Sequence, residues 1–243
     1  MNLEKTETSL DSPDAPAASA PEAPSTDVAL TEDLALALLK RHDLLAEDIE
    51  QLRKHASVMK SRKVRLAVAA HPRAPRRIAL RLIRELHTFD LMQFSLAPAV
   101  VADLKRAADE LLVARLASIT LGERISLARR SSPIVAAALL LDKESRVWQP
   151  ALENPRLIEA AILKVLQRSN ATATFVEAVC HHAKWSVRPE IRMALLRNEK
   201  TPLARAIEFA HRLPPALLRD ILHNSRLPER VKVYLRKDLE ARS

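Results

Sequence analysis

The side chains that could hold a metal ion are densest at Cys180, His181 and His182. Consecutive residues of a helix point about 100° apart, so these three cannot easily share one ion without ligands from elsewhere. Cys180 is also the only cysteine, which excludes a disulfide within the chain and argues against a cysteine-based zinc site. The sequence therefore predicts a buried cysteine beside two partly exposed histidines, and no metal site.

Side chains for other catalytic chemistry lack a recognisable arrangement. Asp220 and His223 are three residues apart, which is typical of a polar pair on a helix surface. Gly122 is the only glycine, whereas phosphate-binding loops need several glycines close together. Ser131 and Ser132 stand where helix caps are expected rather than in the context of a nucleophile. We therefore predict that the protein is not an enzyme and uses no cofactor.

Ten residues are candidates for a binding surface. Arginine predominates in several local basic groups, and its planar guanidinium suits carboxylates and phosphates. The two tryptophans are interpreted first as fillers of gaps between helices, and second as anchors for a partner in a groove. The candidate surface comprises Arg73, Arg76, Arg77, Arg81, Trp148, Trp185, Arg188, Arg192, Arg226 and Arg230.

The formal charge of +9 is unevenly distributed. Residues 1–27 carry six acidic residues against one lysine, a net charge of −5, so the remainder carries +14. Such an excess attracts a polyanion or an acidic protein surface, although a solvated basic face is usual for helical repeats. Aromatic residues that could stack on bases make up only 3% of the chain, so any nucleic-acid contact should be to phosphates.

The composition predicts that an all-α fold positions these side chains. The chain is 48% hydrophobic and rich in the helix formers Ala, Leu, Arg, Glu and Lys. A single glycine argues against hairpins, and the 15 prolines fit first helical turns and linkers. The longest apolar run, 133–141, is too short to cross a bilayer, and residues 1–10 are too acidic and polar for a secretion signal. We therefore expect a cytoplasmic protein without a membrane partner.

Cap signals predict about fifteen helices of 8 to 14 residues. Thr31 is expected to cap the first helix, and one continuous helix is expected over 46–59. Thr120 begins a capping box, with a glutamate three residues later. Ser132 precedes a further helix, and Ser186 is expected to cap a helix that has a proline in its first turn.

Two blocks of the sequence are similar to each other. Residues 65–115 and 192–242 align without a gap at an offset of 127 and share ten identities. In each block a short helix ends at a polar break, and Pro75 or Pro202 then opens a longer helix. Two more helices follow, separated by a second break. We therefore predict one helical repeat domain over 28–243, behind a disordered acidic tail rich in Pro and Ala over 1–27.

Three segments share a loose phrase around these breaks. They are ALENPRLIEAAIL (151–163), ALLRNEKTPLARAI (194–207) and ILHNSRLPERVKVYL (221–235). This phrase resembles bacterial HEAT-like repeats, including the leucine-rich repeat variant class. The resemblance covers roughly residues 60–242 and implies a right-handed solenoid of stacked short helices, but it implies no activity.

The sequence thus predicts an all-α solenoid that acts as a non-enzymatic interaction scaffold for a partner protein. The alternative is a basic module that binds the phosphate backbone of DNA or RNA. Mixing the protein with random duplex DNA at low salt separates the two predictions, because only the second expects a complex.

Overall fold

A computed structural model describes residues 30–41 and 43–241, so the predicted disordered tail, 1–27, lies outside the described residues. Within the described ranges there are sixteen helices and no strand, which confirms the predicted all-α class. The helices are α1 Glu32–Leu39, α2 Ala46–Lys54, α3 Ala56–Met59, α4 Arg62–Ala70, α5 Arg76–Glu85, α6 Thr88–Leu96, α7 Ala102–Arg115, α8 Leu121–Arg130, α9 Pro133–Leu139, α10 Ser145–Leu152, α11 Glu159–Leu166, α12 Ala173–His181, α13 Pro189–Leu196, α14 Leu203–His211, α15 Pro215–His223 and α16 Glu229–Ala241. None of these helices combines the length and apolar character that a bilayer-spanning segment requires.

Several helix starts lie where the cap signals predict them. The hydroxyls of Thr31, Thr120 and Ser132 each accept a hydrogen bond from the backbone N–H three residues later. At the start of α8, the Glu123 carboxylate accepts in return from the Thr120 backbone N–H at 2.9 Å, which completes the predicted capping box. Pro189 is the first residue of α13, as expected for a residue that lacks an N–H.

Two predicted helix boundaries are wrong. The continuous helix expected over 46–59 is interrupted at His55, whose extended backbone (φ −77°, ψ 93°) ends α2 and precedes the short helix α3. Ser186 does not cap α13, because Arg188 occupies the N-cap position. The carbonyl of Ser186 instead accepts a hydrogen bond from Nε of Arg192 at 2.8 Å.

Many helices pack against the next helix in the chain, and several also pack against the helix two positions away. Neighbouring pairs include α4 with α5, α6 with α7, α8 with α9, α13 with α14 and α15 with α16. Contacts between helices two apart join α4 to α6, α5 to α7, α7 to α9, α8 to α10, α11 to α13, α13 to α15 and α14 to α16. The buried apolar side chains form one cluster that extends from Ala35 on α1 to Leu239 on α16.

The two similar blocks contain equivalent helices. A shift of 127 residues places α4 on α13, α5 on α14, α6 on α15 and α7 on α16, with ends that agree to within one residue. The apolar pairs Leu91 with Leu218 and Leu112 with Leu239 are buried in both blocks. The aligned positions therefore have the same secondary structure and include shared core residues.

Several helices are each followed by a buried polar residue whose side chain forms a hydrogen bond with the end of an earlier helix. Asn154, which follows α10 and is fully buried, donates from Nδ2 to the carbonyls of Ala128 at 2.8 Å and Ser131 at 3.3 Å. Its Oδ1 accepts from the backbone N–H of Arg156 at 2.8 Å. One side chain thus shapes its own turn and satisfies carbonyls at the end of α8, which lack helical partners.

Asn198, His71 and Ser225 make equivalent bonds. Nδ2 of Asn198 donates to the carbonyl of Leu166 at 2.8 Å, and Oγ of Ser225 donates to that of Leu196 at 2.6 Å. Nε2 of His71 lies 3.0 Å from the carbonyl of Arg41. Each of the three side chains also accepts from the backbone N–H two residues later. These buried groups tie each turn to a helix end about one helix pair earlier.

Asp109 of α7 is a buried carboxyl group with 4% of its surface exposed. It interacts with the hydroxyls of Ser95 on α6 and Ser132 before α9. Burial raises the pKa of the Asp109 carboxyl above its ordinary 3.8, and the hydroxyls only partly oppose this effect. The neutral acid is therefore favoured more strongly in the folded than in the unfolded protein.

We expect Asp109→Asn to raise the free energy of unfolding at neutral pH by about 1 kcal/mol, because it removes the cost of burying a charge. In the wild type, the contribution of Asp109 to the free energy of unfolding is fully present below the ordinary pKa of the carboxyl. This contribution is lost as the pH rises through the raised pKa of the folded protein. The two proteins should therefore differ at about pH 7 and converge near about pH 3 in urea denaturation. A less stable Asn variant at neutral pH would show that the carboxylate itself stabilises the fold.

Candidate protein interface

The three candidate arginines of α5 are exposed, and each pairs with a carboxylate. Nε of Arg76 lies 2.7 Å from Oδ2 of Asp103, and Nη2 of Arg77 lies 2.5 Å from Oε1 of Glu50. Nε of Arg81 is 3.9 Å from a glutamate carboxylate one turn later. The hydrogen bonds from these guanidinium groups lower the pKa of Asp103 and of Glu50. Much of the positive charge on this face is therefore balanced locally.

Apart from Arg73, which precedes α5, the other candidate arginines lie on and near the C-terminal helices. Arg192 is half-buried, and burial is the main reason that its pKa is lowered. Repulsion from Arg212 and Arg205 acts in the same direction, whereas Glu208 opposes it. The structure therefore brings three arginines together around one glutamate. The remaining candidates, Arg73, Arg188, Arg226 and Arg230, are exposed.

Both tryptophans of the candidate surface are buried. Trp148 has 4% of its surface exposed and meets the ring of Phe175 edge-on, with 5.4 Å between ring centroids. Trp185 has 2% exposed, and its Nε1–H donates to the carbonyl of Leu152 at 2.9 Å. The indoles fill gaps between helices, as the first interpretation predicts, and they offer no face to a partner.

The cluster of Cys180, His181 and His182 has structural contacts. Burial raises the pKa of the Cys180 thiol to about 12, so it stays protonated and is a poor nucleophile near neutral pH. Nδ1 of His181 lies 2.9 Å from the carbonyl of Glu177, and Nδ1 of His182 accepts from the backbone N–H of Lys184 at 3.1 Å. Across residues 30–41 and 43–241, no three His, Cys, Asp or Glu side chains are grouped to hold a metal.

A groove that the sequence did not predict lies between α9 and α11. Its volume is about 450 Å³, within the roughly 300–1,000 Å³ typical of binding pockets. Three large apolar side chains at its walls are about half exposed: Ile134 (46%), Leu141 (47%) and Ile158 (54%). The lining comprises Pro133, Ile134, Ala137, Ala138, Leu141, Ile158, Ala160, Ala161, Lys164, Val165 and Arg168. We call this feature the α9–α11 groove.

The apolar residues in and just after α9 lie on two different faces. Val135, Ala136 and Leu139 are buried in the core. Ile134, the alanines at 137 and 138, and Leu141 follow the spacing i, i+3, i+4, i+7 and lie along the α9–α11 groove. A helix that is apolar all round normally has both faces covered. Here one of the two faces is open to solvent.

The wall formed by α11 combines apolar and basic residues. Ile162 and Leu166 are buried, whereas Ala161 and the half-exposed Ile158 line the groove. Lys164 and Arg168, four residues apart, add two exposed cations to this wall. Among the described residues that line the groove, none is acidic. The site is thus an apolar groove with positive charge along one side.

No family description, curated protein or solved structure matches the chain.

Proposed function

We propose that the protein is a non-enzymatic helical-repeat scaffold that binds a partner protein in the α9–α11 groove. The observation that carries the proposal is the apolar stripe of α9, which is exposed beside Ile158 instead of being covered by another helix. Contiguous exposed apolar surface is costly in water and commonly marks an interaction site. Polar groups do not converge in the groove, which favours recognition by apolar contact over chemical catalysis.

We further propose that the helices stack as the solenoid that HEAT-like repeats form. Contacts between helices two apart, such as α5 with α7 and α7 with α9, are those expected of stacked helix pairs. Asn154, Asn198 and Ser225 each donate to a carbonyl 26 to 32 residues earlier, and this recurring separation supports stacked units of about that length. A stacked array of this kind presents long surfaces for partner proteins.

Binding to a nucleic-acid backbone is the weaker alternative because many cations already have partners. Arg62, Arg76 and Arg77 pair with carboxylates from other helices. Arg115 and Arg226 donate to helix-end carbonyls. We expect no mobility shift of random duplex DNA at about 50 mM salt. A complex that forms there and dissociates at about 200 mM salt would favour the alternative.

Comparative capture tests the proposed function. The wild type and the double variant Ile134→Glu, Ile158→Glu are expressed at native level in the source cells and isolated under native conditions. A partner recovered with the wild type should fall at least about tenfold with the double variant, because buried carboxylates would oppose apolar docking. The measurement is the ratio of the partner to the bait by quantitative mass spectrometry.

Val233→Glu is the matched control, because Val233 is 44% exposed on α16 and lies outside the groove. This variant should recover the partner as well as the wild type. Thermal unfolding should show that all three proteins are folded, since the substituted side chains are solvent-exposed. Equal recovery of the partner by the folded groove variant would contradict the proposal.

A further inference from the structure

We propose that the α9–α11 groove binds an amphipathic α-helix of another protein, with acidic residues beside the apolar stripe of that helix. This inference rests on the proposed function and specifies the chemistry of the partner. It draws on two independent features of the groove, namely the spacing of its apolar walls and the sign of its charge.

The apolar walls favour a helical occupant. Ile134 on α9 and Leu141, two residues after its end, are seven residues apart, with alanines between them. Ile158, the N-cap of α11, and the largely buried Val165 of α11 are likewise seven residues apart, with Ala161 between them. Two helices with small residues between larger ones form ridges and grooves into which a third helix can pack. Helix-in-groove recognition uses the same anchor spacing of i, i+3, i+4 and i+7 on the ligand.

The position of α9 in the packing supports the same occupant. α9 contacts α7, α8 and α10, and the exposed Ile134 side points away from the buried Val135 and Leu139. A partner helix seated between α9 and α11 would cover the exposed side chains of Ile134 and Leu141.

The basic wall selects the charge of that helix. Lys164 and Arg168 are exposed, and neither side chain forms an ion pair within the described part of the chain. Lys164 on α11 and Arg168, two residues after its end, both line the same groove. Asp or Glu residues at the edge of the docked stripe would pair with them, whereas Lys or Arg there would be repelled.

Peptide display tests the inference with the full chain as bait. The library consists of helix-forming peptides of about 14 residues, enough for four turns, with apolar anchors fixed at i, i+3, i+4 and i+7 and flanking positions free. Binders that also bind the Ile134→Glu, Ile158→Glu double variant are removed. The peptides that remain should be enriched in Asp and Glu at the flanking positions, and their affinities are measured by fluorescence anisotropy.

Charge reversal provides the decisive comparison. The double variant Lys164→Glu, Arg168→Glu should bind an enriched peptide about tenfold more weakly than the wild type does. The same peptide with its flanking acids changed to lysine should prefer the charge-reversed variant. Reversal in both directions cannot arise from a general loss of folding.

Other outcomes would overturn the inference. Enriched peptides with neutral or basic flanks, or with equal affinity for the charge-reversed variant, would exclude selection by Lys164 and Arg168. If size-exclusion chromatography showed a wild-type dimer that the groove variants abolish, the occupant would be a second copy of this chain. Partner capture without acidic selection would reject this inference alone. Acidic selection without capture of any partner in cells would reject the proposed function instead.

Discussion

Trp185→Ala is expected to lower the free energy of unfolding by about 3–5 kcal/mol, the range for removal of a buried aromatic side chain. Trp185 follows α12 and is among the largest fully buried side chains. Its Nε1–H donates to the carbonyl of Leu152, the last residue of α10, at 2.9 Å. The substitution therefore removes both core volume and the hydrogen bond that joins these two helix ends. Chemical denaturation followed by circular dichroism measures the loss.

Trp185→Phe separates the two contributions. Phenylalanine keeps much of the apolar volume but cannot donate to Leu152, so we expect a smaller loss of about 1–3 kcal/mol. Tyr234→Ala is the exposed aromatic control, because Tyr234 is 50% exposed and should change stability by about 0.5 kcal/mol or less. A Trp185→Ala variant as stable as the Tyr234→Ala variant would contradict the packing described for the indole.

Asn154→Ala is expected to lower the free energy of unfolding by about 2–4 kcal/mol, because several buried polar groups would lose their hydrogen-bond partner together. The carbonyls of Ala128 and Ser131 would lose their side-chain donor, and the backbone N–H of Arg156 would lose its acceptor. The variant should unfold at a lower urea concentration with an unchanged slope, because the extent of the folded core is the same.

Asn170→Ala is the matched control for Asn154→Ala. Asn170 also lies in a turn between helices, but it is exposed. We expect its substitution to change stability by about 0.5 kcal/mol or less. If both variants lost the same small amount of stability, the hydrogen bonds of the Asn154 side chain would not stabilise the packing of its turn against the end of α8.

The features that the sequence predicted correctly are governed by local interactions. The capping box of Thr120 and Glu123 and the first-turn Pro189 depend on residues within one turn, so their spacing is visible in the sequence. The break at His55 carries neither glycine nor proline, and an apolar periodicity continues across it. The sequence therefore offered no local signal to end α2 there.

The polar breaks were predicted as turns, but their long-range role was not. Asn154 and Asn198 occupy the repeated phrase of the sequence, which marks the end of a helix. Their carbonyl partners lie 23 to 32 residues earlier, and a turn signal contains no information about a helix at that distance. The recurrence of a polar residue at the same place in several breaks was the signal available.

The candidate site was the least predictable part. Charge clusters drew attention to arginines such as Arg76 and Arg77, whose acidic partners come from other helices. The run that forms α9 has the composition of a buried helix, so the exposure of Ile134 and Leu141 depends on which neighbours cover it. Tertiary packing determines which side chains of α9 are covered, and a single sequence does not show which helices pack against it.

Site-specific photo-crosslinking in the source cells tests the central claim most directly. A photoreactive amino acid is placed at Ile134 in the α9–α11 groove, and in separate proteins at Arg81 on α5 and at Tyr234 on α16. We predict one prominent covalent adduct with another protein from Ile134, lost when Ile158→Glu is added, and no such adduct from the other two positions. Adducts from Arg81 or Tyr234 but not from Ile134 would contradict the claim that the groove is the binding surface.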